Sequence, residues 1–558
     1  MKKSVIYLAV AYVGCGLLLS SHLHSQSPNW AWAHIGKGGD SGNEIANAVT
    51  TDAAGNVYVA GSFTSSSVSF DSHSLTNANG GAGSADIFFV KYDAAGSVVW
   101  AKGAGGNGYD AAYSIARDAS GNFYLAGSFS SSSITFDSVT LSNPGGSGAI
   151  FYVKFDANGS ALAGKCFGGS GDDGANSVAV DASGNIYMTG YFSSSSVTFG
   201  TTTLSNSGGA DIFTVKCDAG GNPLWARGAG GSSDDQAASV AVDASGNSYV
   251  AGYYKSSAIS LGSVTLNNTG TNNNIFLAKY NGSGSVAWAK GAGDVHDDRA
   301  TSVAVDASGN VFMAGFFEDA NITFGSISMS GGWFRMFFVK FDANGNAVWG
   351  HDVGGSDENY ASAVTTDAAG NVYGAGYFSG QPIVFGNDIL YPTSYDVAVL
   401  KFDPAGNPVW AKGAGGWDND DAFAVTVDPF GNAIVVGGFY SGSIDFGSTT
   451  LTNQYPSIAD MFIAKIGNNA TAMETTENPN DFFIYPGISS GQFTIGTKNT
   501  ETTLTGYEIY NAIGERTCAD EIYGTKKLLL DLDIPDGIYF VKVSTENTST
   551  IKKIIIAK

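Results

Sequence analysis

The sequence is poor in basic residues, cysteine and proline, and it has no long apolar run beyond its first 25 residues. Its 558 residues include 27 Lys and Arg against 50 Asp and Glu, a net charge of −23. That balance argues against a nucleic-acid-binding protein, because neutralising phosphates requires a basic face. Without a later apolar run, no membrane-spanning helix is predicted after the N-terminal segment. A hydrophobic content of 43% is too high for a disordered chain.

The N-terminal segment has the features of an export signal. Lys2 and Lys3 precede an apolar stretch over residues 5–19, which a short polar run follows. This order is typical of a secretory signal peptide and predicts that residues 1–25 are removed. The alternative is a lipoprotein signal ending at Cys15. The cysteines that remain are too few and too sparse for a disulfide framework, so we expect three independent small apolar residues at Cys166, Cys217 and Cys518.

The length requires several domains or a repeat array, because a single core rarely grows beyond about 250–300 residues. One motif, of the form SVAVDASGN, recurs seven times at intervals of 66, 63, 62, 63, 61 and 61 residues. Such regular spacing indicates a tandem array. The motif aspartates are Asp52, Asp118, Asp181, Asp243, Asp306, Asp367 and Asp428.

Each repeat is predicted to contain four β-strands, because its apolar residues alternate with a period of two. In the third repeat the strands are SVAVD, NIYMTGYF, DIFTVKCD and NPLWARG. Turns such as D-A-S-G-N join the first strand to the second and the third to the fourth. In these turns Asp accepts a backbone hydrogen bond and Gly supplies the positive φ of a tight hairpin. We therefore interpret the turn Asp and Gly residues as structural.

Four-strand repeats of about 40–50 residues are typical of β-propeller blades, and the extra length here falls between the second and third strands. In that insert an apolar residue is followed five positions later by another in every repeat. This pattern predicts a small hairpin that packs on the blade. The pairs are Phe70 and Leu75, Phe136 and Leu141, Phe199 and Leu204, Leu261 and Leu266, Phe324 and Met329, Phe385 and Leu390, and Phe446 and Leu451.

The two ends of the array complement each other. The last repeat has no fourth strand, whereas NWAWAHIGKGG, from Asn29, has the pattern of a fourth strand with no repeat before it. Pairing the strand around Trp32 with the last repeat removes two unpaired sheet edges. We therefore predict a seven-bladed β-propeller over residues 26–467, closed by the N-terminal strand. An open solenoid needs capping repeats, and the sequence shows none.

Through the pattern V-A-V-D-x-x-G-N-x-Y-V-A-G, the repeats resemble the bacterial β-propeller repeat family called SBBP and, more distantly, NHL repeats. The resemblance covers roughly residues 29–467 and implies the propeller fold. It implies no particular activity, because propellers carry unrelated functions.

The C-terminal part differs in composition and loses the repeat period. After a linker over residues 468–480, residues 481–558 contain short alternating strands that predict a small β-sandwich, which makes the whole chain all-β. This domain resembles the type IX secretion C-terminal sorting domain, type A. The alternative is an unrelated accessory sandwich. The resemblance depends on Tyr485 and Pro486, residues 490–493 (SGQF), residues 509–515 (IYNAIGE), residues 534–541 (IPDGIYFV) and residues 553–555 (KII).

The resemblance implies Sec export, passage through the outer membrane by the type IX machinery, and removal of this domain as the propeller is released or anchored at the surface. One departure is that the family usually continues Tyr-Pro with Asn-Pro, whereas Gly487 and Ile488 follow here. Glycine can replace asparagine in a turn, so the fold is little affected. The residues assigned to the sorting signal are Tyr485, Pro486, Gly491, Asn511, Gly514, Gly537, Ile538, Tyr539 and Lys553.

A candidate metal site follows from the blade topology. The short turns share one face of a propeller, so the inserts and the crossing segments (G-A-G-G-x-x-D-D) share the other. The residue eight positions before the motif Asp is acidic in six of the seven repeats, and it is Asn359 in the remaining one, the sixth repeat. A ring of these carboxylates would offer Ca²⁺ the oxygens it needs. The alternative is loop scaffolding, which Asn359 also allows. The acids are Glu44, Asp110, Asp173, Asp235, Asp298 and Asp420.

The tryptophans divide into two groups. Five recur in the fourth strand and are predicted to pack between blades: Trp100, Trp225, Trp288, Trp349 and Trp410. Trp333 and Trp417 lie instead in an insert and a crossing segment. Exposed aromatic residues there would stack on sugar rings, although a lone loop tryptophan often packs locally.

We expect no catalytic site and no cofactor other than Ca²⁺. The histidines fall at different depths in different repeats, and the sequence has no H-E-x-x-H helix or P-loop. The resulting hypothesis is a secreted or cell-surface binding or adhesion protein that binds protein or glycan through its long-loop face. The alternatives are an extracellular glycan hydrolase or lyase, and a purely structural surface component.

Overall fold

The computed structural model describes residues 27–467 except 82, 319, 333 and 356, and in the C-terminal part residues 482–485, 488–489, 491–497, 503–511, 516–532, 534–535, 537–545 and 549–556. All regular secondary structure in these residues is β-strand. Among them, no helix is long and apolar enough to cross a membrane. The predicted signal peptide and linker lie outside the described residues.

The repeats fold into seven antiparallel groups of four strands, which we number in chain order as sheets 1 to 7. Six are separate sheets, and sheet 7 continues into the hairpin of the first insert, because Lys37 and Gly38 pair with Ser69 and Val68. Sheets 1 to 3 are β2 (Glu44–Thr51), β3 (Val57–Phe63), β6 (Asp86–Tyr92) and β7 (Val98–Ala104); β8 (Asp110–Arg117), β9 (Phe123–Phe129), β12 (Ala149–Phe155) and β13 (Ala161–Phe167); and β14 (Asp173–Val180), β15 (Ile186–Phe192), β18 (Asp211–Cys217) and β19 (Pro223–Ala229). Sheets 4 and 5 are β20 (Asp235–Val242), β21 (Ser248–Tyr254), β24 (Asn274–Tyr280) and β25 (Val286–Ala292); and β26 (Arg299–Val305), β27 (Val311–Phe317), β30 (Arg335–Phe341) and β31 (Ala347–Val353). Sheets 6 and 7 are β32 (Asn359–Thr366), β33 (Val372–Phe378), β36 (Asp396–Phe402) and β37 (Pro408–Ala414); and β38 (Asp420–Val427), β39 (Ala433–Phe439), β42 (Asp460–Gly467) and β1 (Asn29–Gly38).

Sheet 7 is completed by the N-terminal strand. β1 lies antiparallel to β42, in register from Asn29 opposite Gly467 to Gly36 opposite Met461. The other six sheets take all four strands from one continuous stretch of chain. The two ends of the repeat region therefore share one sheet.

The first strands of neighbouring sheets lie side by side, and β38 of sheet 7 lies beside β2 of sheet 1. Hydrogen bonds join these strands: the Val178 amide donates to Ser114 Oγ and the Val240 amide donates to Ser177 Oγ, each with a donor–acceptor distance of 3.1 Å. An apolar core fills the space between each pair of adjacent sheets, including sheets 7 and 1. Each sheet is thus held mainly by its two neighbours.

Each insert forms the predicted two-stranded hairpin. The first member of every predicted apolar pair is buried and the second is buried or partly buried, so the packing prediction is confirmed. The hairpins are β4 (Ser67–Phe70) with β5 (His73–Thr76), β10 (Ser133–Phe136) with β11 (Val139–Ser142), β16 (Ser196–Phe199) with β17 (Thr202–Ser205), β22 (Ala258–Leu261) with β23 (Val264–Asn267), β28 (Ile322–Phe324) with β29 (Ile327–Met329), β34 (Ile383–Phe385) with β35 (Asp388–Leu390), and β40 (Ser443–Phe446) with β41 (Thr449–Thr452).

The D-x-x-G-N turns have the predicted chemistry. Asp52 accepts hydrogen bonds from the amides of Ala54 and Asn56 at 2.9 and 3.0 Å, and from the Tyr58 hydroxyl at 3.1 Å. Gly55 has φ +80°, a conformation that a side chain rarely adopts. The motif Asp and Gly are therefore structural residues at the end of each sheet opposite the inserts.

The fourth-strand tryptophans pack between sheets, as predicted. The Trp225 indole N–H donates to the carbonyl oxygen of Gly282 in the next sheet's turn, at 3.2 Å. A side chain on Gly284 in that turn would lie 2.6 Å from the Trp225 ring, so the tryptophan requires glycine at this position. In the same way, Trp32 of β1 lies against Gly96 in sheet 1.

The C-terminal strands form two sheets around one core, as a small sandwich requires. Phe493 and Leu530 come from the smaller sheet, and Ile509, Val541 and Ile554 from the larger one. The smaller sheet has the order β43 (Phe482–Tyr485), β45 (Gln492–Thr497), β48 (Lys527–Asp531). The larger has the order β44 (Ile488–Ser489), β50 (Ser549–Ile556), β49 (Gly537–Ser544), β46 (Leu504–Asn511), β47 (Arg516–Thr525).

Cys166, Cys217 and Cys518 are free cysteines in the described part of the chain. Cys217 is buried in the core between sheets 2 and 3, and Cys166 packs against the core between sheets 1 and 2. Cys518 packs against the core of the C-terminal domain. All three therefore act as small apolar residues.

Candidate functional site: the mouth of the repeat array

The six predicted carboxylates are buried within the loops that enter the sheets. Asp173 at the start of β14 accepts hydrogen bonds from the amides of Ser193 and Ser194, from the Ser194 hydroxyl at 2.6 Å, and from the Gly169 amide at 2.8 Å. Asn359 takes the same place in sheet 6 and accepts from the Gly355 amide. Like Asn359, all six acids are fully buried: Glu44, Asp110, Asp173, Asp235, Asp298 and Asp420.

The structure differs here from the predicted open ring. The alternation of the strand turns these side chains away from the mouth and toward their own loops. In the part of the chain that the structure describes, no three acidic, histidine or cysteine side chains come together as a metal site would require. The geometry thus favours loop scaffolding for these residues, and calcium binding stays a prediction.

A second buried carboxyl group lies close to several of them. Burial raises the pKa of Asp86 to about 6 and that of Asp211 to about 6, and the nearby Asp110 and Asp235 raise each further. The Gly106 backbone lies beside both Asp86 and Asp110. One oxygen of Asp86 and one of Asp211 have no hydrogen-bond partner. Buried acid pairs of this kind favour the protonated form.

These acid pairs predict that the protein is more stable in mild acid. Burial raises the pKa of Asp420 to about 7 in the folded protein, above its value in the unfolded chain. The protonated Asp420 therefore stabilises the fold fully at pH values below the unfolded pKa, and this stabilisation is lost as the pH rises through about 7. Between pH 5 and pH 8 the free energy of unfolding should fall by about 2–3 kcal/mol for this residue alone. Thermal unfolding at both pH values measures the fall.

The substitution Asp420→Asn tests this assignment, since asparagine already occupies the equivalent position in sheet 6. It should keep the fold and reduce the loss of stability between pH 5 and 8. Asp243→Asn is the matched control. Burial raises the pKa of Asp243, but hydrogen bonds from Asn247 lower it to below its usual value, so the charge of Asp243 does not change between pH 5 and 8. An unchanged pH dependence in the Asp420 variant would contradict the prediction.

The residue that follows each buried carboxylate faces the mouth, which we define as the crossing-segment end of the seven first strands. Five of these residues are half-buried between fully buried neighbours, whereas Ala111 and Gly174 are themselves buried. Each pairs with one residue near the end of the second strand. The residue types at these two paired positions differ from sheet to sheet, unlike those at the flanking positions. In order the pairs are Ile45 and Ser62, Ala111 and Ser128, Gly174 and Tyr191, Gln236 and Tyr253, Arg299 and Phe316, Tyr360 and Tyr377, and Asp421 and Gly438.

Aromatic rings form a continuous run across the mouth of sheets 4 to 6. Phe316 and Tyr360 have ring centroids 4.1 Å apart, Tyr360 and Tyr377 lie at 4.9 Å, and Tyr377 and Tyr395 at 5.7 Å. Tyr253 joins the run through Arg299, whose guanidinium lies over both Tyr253 and Phe316. We call these six residues the aromatic run.

Carboxylates surround the aromatic run. Burial raises the pKa of Tyr360, and the charges of Glu358, Glu318 and Asp297 raise it further. Burial raises the pKa of Tyr395, and the charge of the neighbouring Glu358 raises it further. Burial also raises the pKa of Asp421 to about 6, so this group is mostly ionised at neutral pH. The mouth therefore combines ring faces with an excess of negative charge.

The sequence did not single out the aromatic run. Its members lie in different repeats and belong to no motif. The available signal was the contrast between a variable position and the near-constant residues on either side of it. Of the predicted ligand-binding tryptophans, Trp417 is 91% exposed in its crossing segment, and Trp333 lies outside the described residues.

Among the described sorting-signal residues, several lie at or next to strand ends, and Tyr539 lies in the core of the C-terminal domain. Gly491 has φ +115° immediately before β45, and Tyr539 is buried with its hydroxyl donating to the Pro535 carbonyl at 2.9 Å. Pro486 and Gly514 lie outside the described residues. Of the others, Tyr485 and Asn511 end strands, Gly537 begins β49, Ile538 follows it, and Lys553 lies in β50.

Comparison with known proteins identifies this C-terminal domain. Residues 483–557 match the family described as the secretion system C-terminal sorting domain. The prediction of a type IX sorting domain is thereby confirmed, and it indicates a secreted or cell-surface protein that interacts with the secretion machinery.

The repeat region is similar to other repeat proteins. An uncharacterized WD repeat-containing protein, L264, of Acanthamoeba polyphaga mimivirus is 26% identical over 494 residues, which cover 71% of this chain and 35% of the relative's length. Two solved structures are similar at low identity. Sqt1 from Chaetomium thermophilum is 10% identical with a TM-score of 0.37, covering 74% of this chain and 97% of its own. A protein of unknown function from Dyadobacter fermentans DSM 18053 is 9% identical with a TM-score of 0.36, covering 79% and 100%.

Proposed function

We propose that the chain is a non-catalytic binding protein, secreted or held at the cell surface, whose repeats form a closed seven-bladed β-propeller of the SBBP type. The apolar core between sheets 7 and 1 supports closure, because it has the same form as the six cores between the other neighbours. The pairing of β1 with β42 supports it as well. The propeller presents its ligand-binding surface at the mouth and on the neighbouring inserts.

The aromatic run is the observation that carries the binding function. Aromatic side chains supply large contact areas at little entropic cost, and they are enriched where proteins bind ligands. Three half-buried tyrosines in ring contact, supported by the buried Phe316, therefore form a ready platform. The mouth pairs of sheets 1 and 2, Ile45 with Ser62 and Ala111 with Ser128, include no aromatic side chain.

The hairpin of sheet 6 favours a protein ligand over a glycan. In the other six hairpins the outward pair is polar and hydrogen-bonded across the strands, as in Thr135 with Thr140 at 3.0 Å. In sheet 6 the pair is Val384 and Ile389, which are 71% and 48% exposed, and Tyr391 beyond it is 70% exposed. An apolar patch that replaces a hydroxyl pair indicates a protein contact.

A binding panel tests the proposal. We expect the full chain to bind at least one of a set of extracellular proteins, such as collagen, fibronectin and fibrinogen, more tightly than chitin, xylan or alginate. Val384→Thr with Ile389→Thr, which restores the pair found in sheet 2, should weaken binding without changing the unfolding midpoint. Ile45→Ala, in the mouth of sheet 1, is the control and should bind normally. Equal binding by all variants would contradict the proposal.

A hydrolase or lyase is the second candidate, because tyrosines and carboxylates do cluster over the mouth. The closest arrangement is Tyr395 beside Glu358, with Tyr377 in ring contact with Tyr395. The same panel distinguishes this candidate: release of reducing or unsaturated ends from a polysaccharide would establish an enzyme. We expect no such release if the mouth is a binding surface.

A further inference from the structure

Sheets 4 and 5 show how the mouth holds a positive charge. The Arg299 guanidinium lies 4.6 Å from the centroid of Tyr253 and 6.0 Å from that of Phe316. Asp297 accepts two hydrogen bonds from it, at 2.9 and 2.6 Å. The cation thus has ring faces on two sides and a bidentate carboxylate on a third, which is a strong arrangement for a guanidinium.

Sheet 6 also has aromatic rings beside a carboxylate, but it supplies no arginine of its own there. Tyr360, Tyr377 and Tyr395 are in ring contact, and Glu358 lies beside them. Among the described residues, the ion pairs of lysine and arginine do not include Glu358. Arg299 is close to Tyr360 but pairs with Asp297, so Glu358 lacks the bidentate arginine that Asp297 has.

The charge of the surroundings points the same way. Asp297, Glu318, Glu358 and Asp421 act on the tyrosines of the aromatic run. The basic groups beside them are Arg299, which is close to Tyr360, and His296, which is close to Glu318. Residues 26–470 as a whole have 38 acidic and 17 basic residues, a net charge of −21. Such a field attracts cations and repels anions over distances of about one Debye length, roughly 8 Å at physiological salt.

We infer that the aromatic run binds a lysine or arginine side chain of an extended protein segment, with the charged group placed between the tyrosines of sheet 6 and Glu358. This inference rests on the proposed binding function and specifies its ligand. An anionic ligand is disfavoured by the surrounding carboxylates, and a neutral ligand would leave them without a counter-charge. The exposed apolar pair on the hairpin of sheet 6 lies beside the fourth strand, and an extended protein segment, unlike an amino sugar, is long enough to reach it from the mouth.

Hexalysine is the probe for this inference, with titration calorimetry on the full chain as the measurement. We expect binding that weakens as salt is raised, and a Kd about tenfold higher in the double variant Tyr360→Ala, Tyr377→Ala, which removes rings without changing the net charge. Glu358→Gln should weaken binding by a similar factor. Tyr360→Phe should bind normally, because the ring face is retained.

Asp445→Asn controls for non-specific attraction, since it removes one exposed negative charge on a hairpin away from the mouth. It should change hexalysine binding little. Equal losses in Asp445→Asn and Glu358→Gln, or unchanged binding in the double tyrosine variant, would overturn the inference. Absence of hexalysine binding would overturn it too.

Neutral and cationic sugars separate this inference from the proposed function. Binding of chitin hexamer but not hexalysine, lost in the double tyrosine variant, would refute the cationic protein segment and leave a binding function at the mouth. Preference for chitosan hexamer over hexalysine would replace the protein segment with an amino sugar. If the double tyrosine variant binds every member of the protein and glycan panel as the unaltered chain does, the proposed site itself fails.

Discussion

Deleting residues 29–39 should lower the free energy of unfolding by about 5 kcal/mol or more, since each large apolar side chain contributes about 1.5–3 kcal/mol on burial. β1 contributes Trp30, whose ring meets Phe446 edge-on at 4.8 Å, together with Trp32 and the core residue Ala33. Its removal also exposes the edge of β42. Thermal and denaturant unfolding measure the effect.

A rescue variant makes this experiment specific to closure. Residues 29–39 are moved to follow Gly467 through a D-A-N-G-N turn, so that sheet 7 becomes continuous like the other six. If β1 stabilises the array by pairing with β42, the rescue variant should regain most of the lost stability. An unchanged unfolding midpoint after the simple deletion would refute the closed propeller.

Removing residues 481–558 should prevent export of the protein in a bacterium with a type IX system. The match over residues 483–557 to the sorting-domain family gives the reason, because that domain is the part of the chain that the secretion machinery would recognise. We expect the truncated chain to remain in the cells and the full chain to reach the medium or the cell surface. Quantitative blotting of cell and medium fractions measures the distribution.

Two controls accompany the truncation. Residues 468–558 fused to an unrelated exported reporter should direct that reporter outside the cell. The intact mass of the extracellular protein should show that Lys558 and the rest of the domain are absent, as removal of a sorting domain requires. Export of the truncated chain, or an extracellular protein that retains Lys558, would contradict the respective prediction.

Much of the fold follows from local pattern. The seven D-x-x-G-N turns, the period-two strands and the apolar pairs of the inserts each depend on residues close together in the chain, and the structure has all of them where the pattern places them. Contacts between sheets do not follow from local pattern. The turn position of Gly284 can be predicted from the sequence, but its contact with Trp225 of the preceding sheet is seen only in the tertiary structure.

The candidate site was only partly predictable. The carboxylates at Asp173 and its equivalents were found by their spacing, yet spacing does not tell whether a side chain points to the mouth or into its own loop. One position along the strand reverses that direction. The regular spacing points to the buried carboxylates as metal ligands. The residues that follow them, such as the half-buried Tyr360 and Arg299, form no sequence motif, because they differ between repeats.

The sequence by itself determined the number of repeats, the strands within them and the identity of the C-terminal domain, because each is encoded by residues that are adjacent or regularly spaced. The missing fourth strand of the last repeat also predicted the pairing of β1 with β42. Only the tertiary structure decided that the side chains of Asp173 and its equivalents are internal, and that aromatic residues from sheets 4 to 6 meet in one run. The physical reason is that these two features depend on side-chain direction along the strand and on the packing of sheets about 60 or more residues apart in sequence.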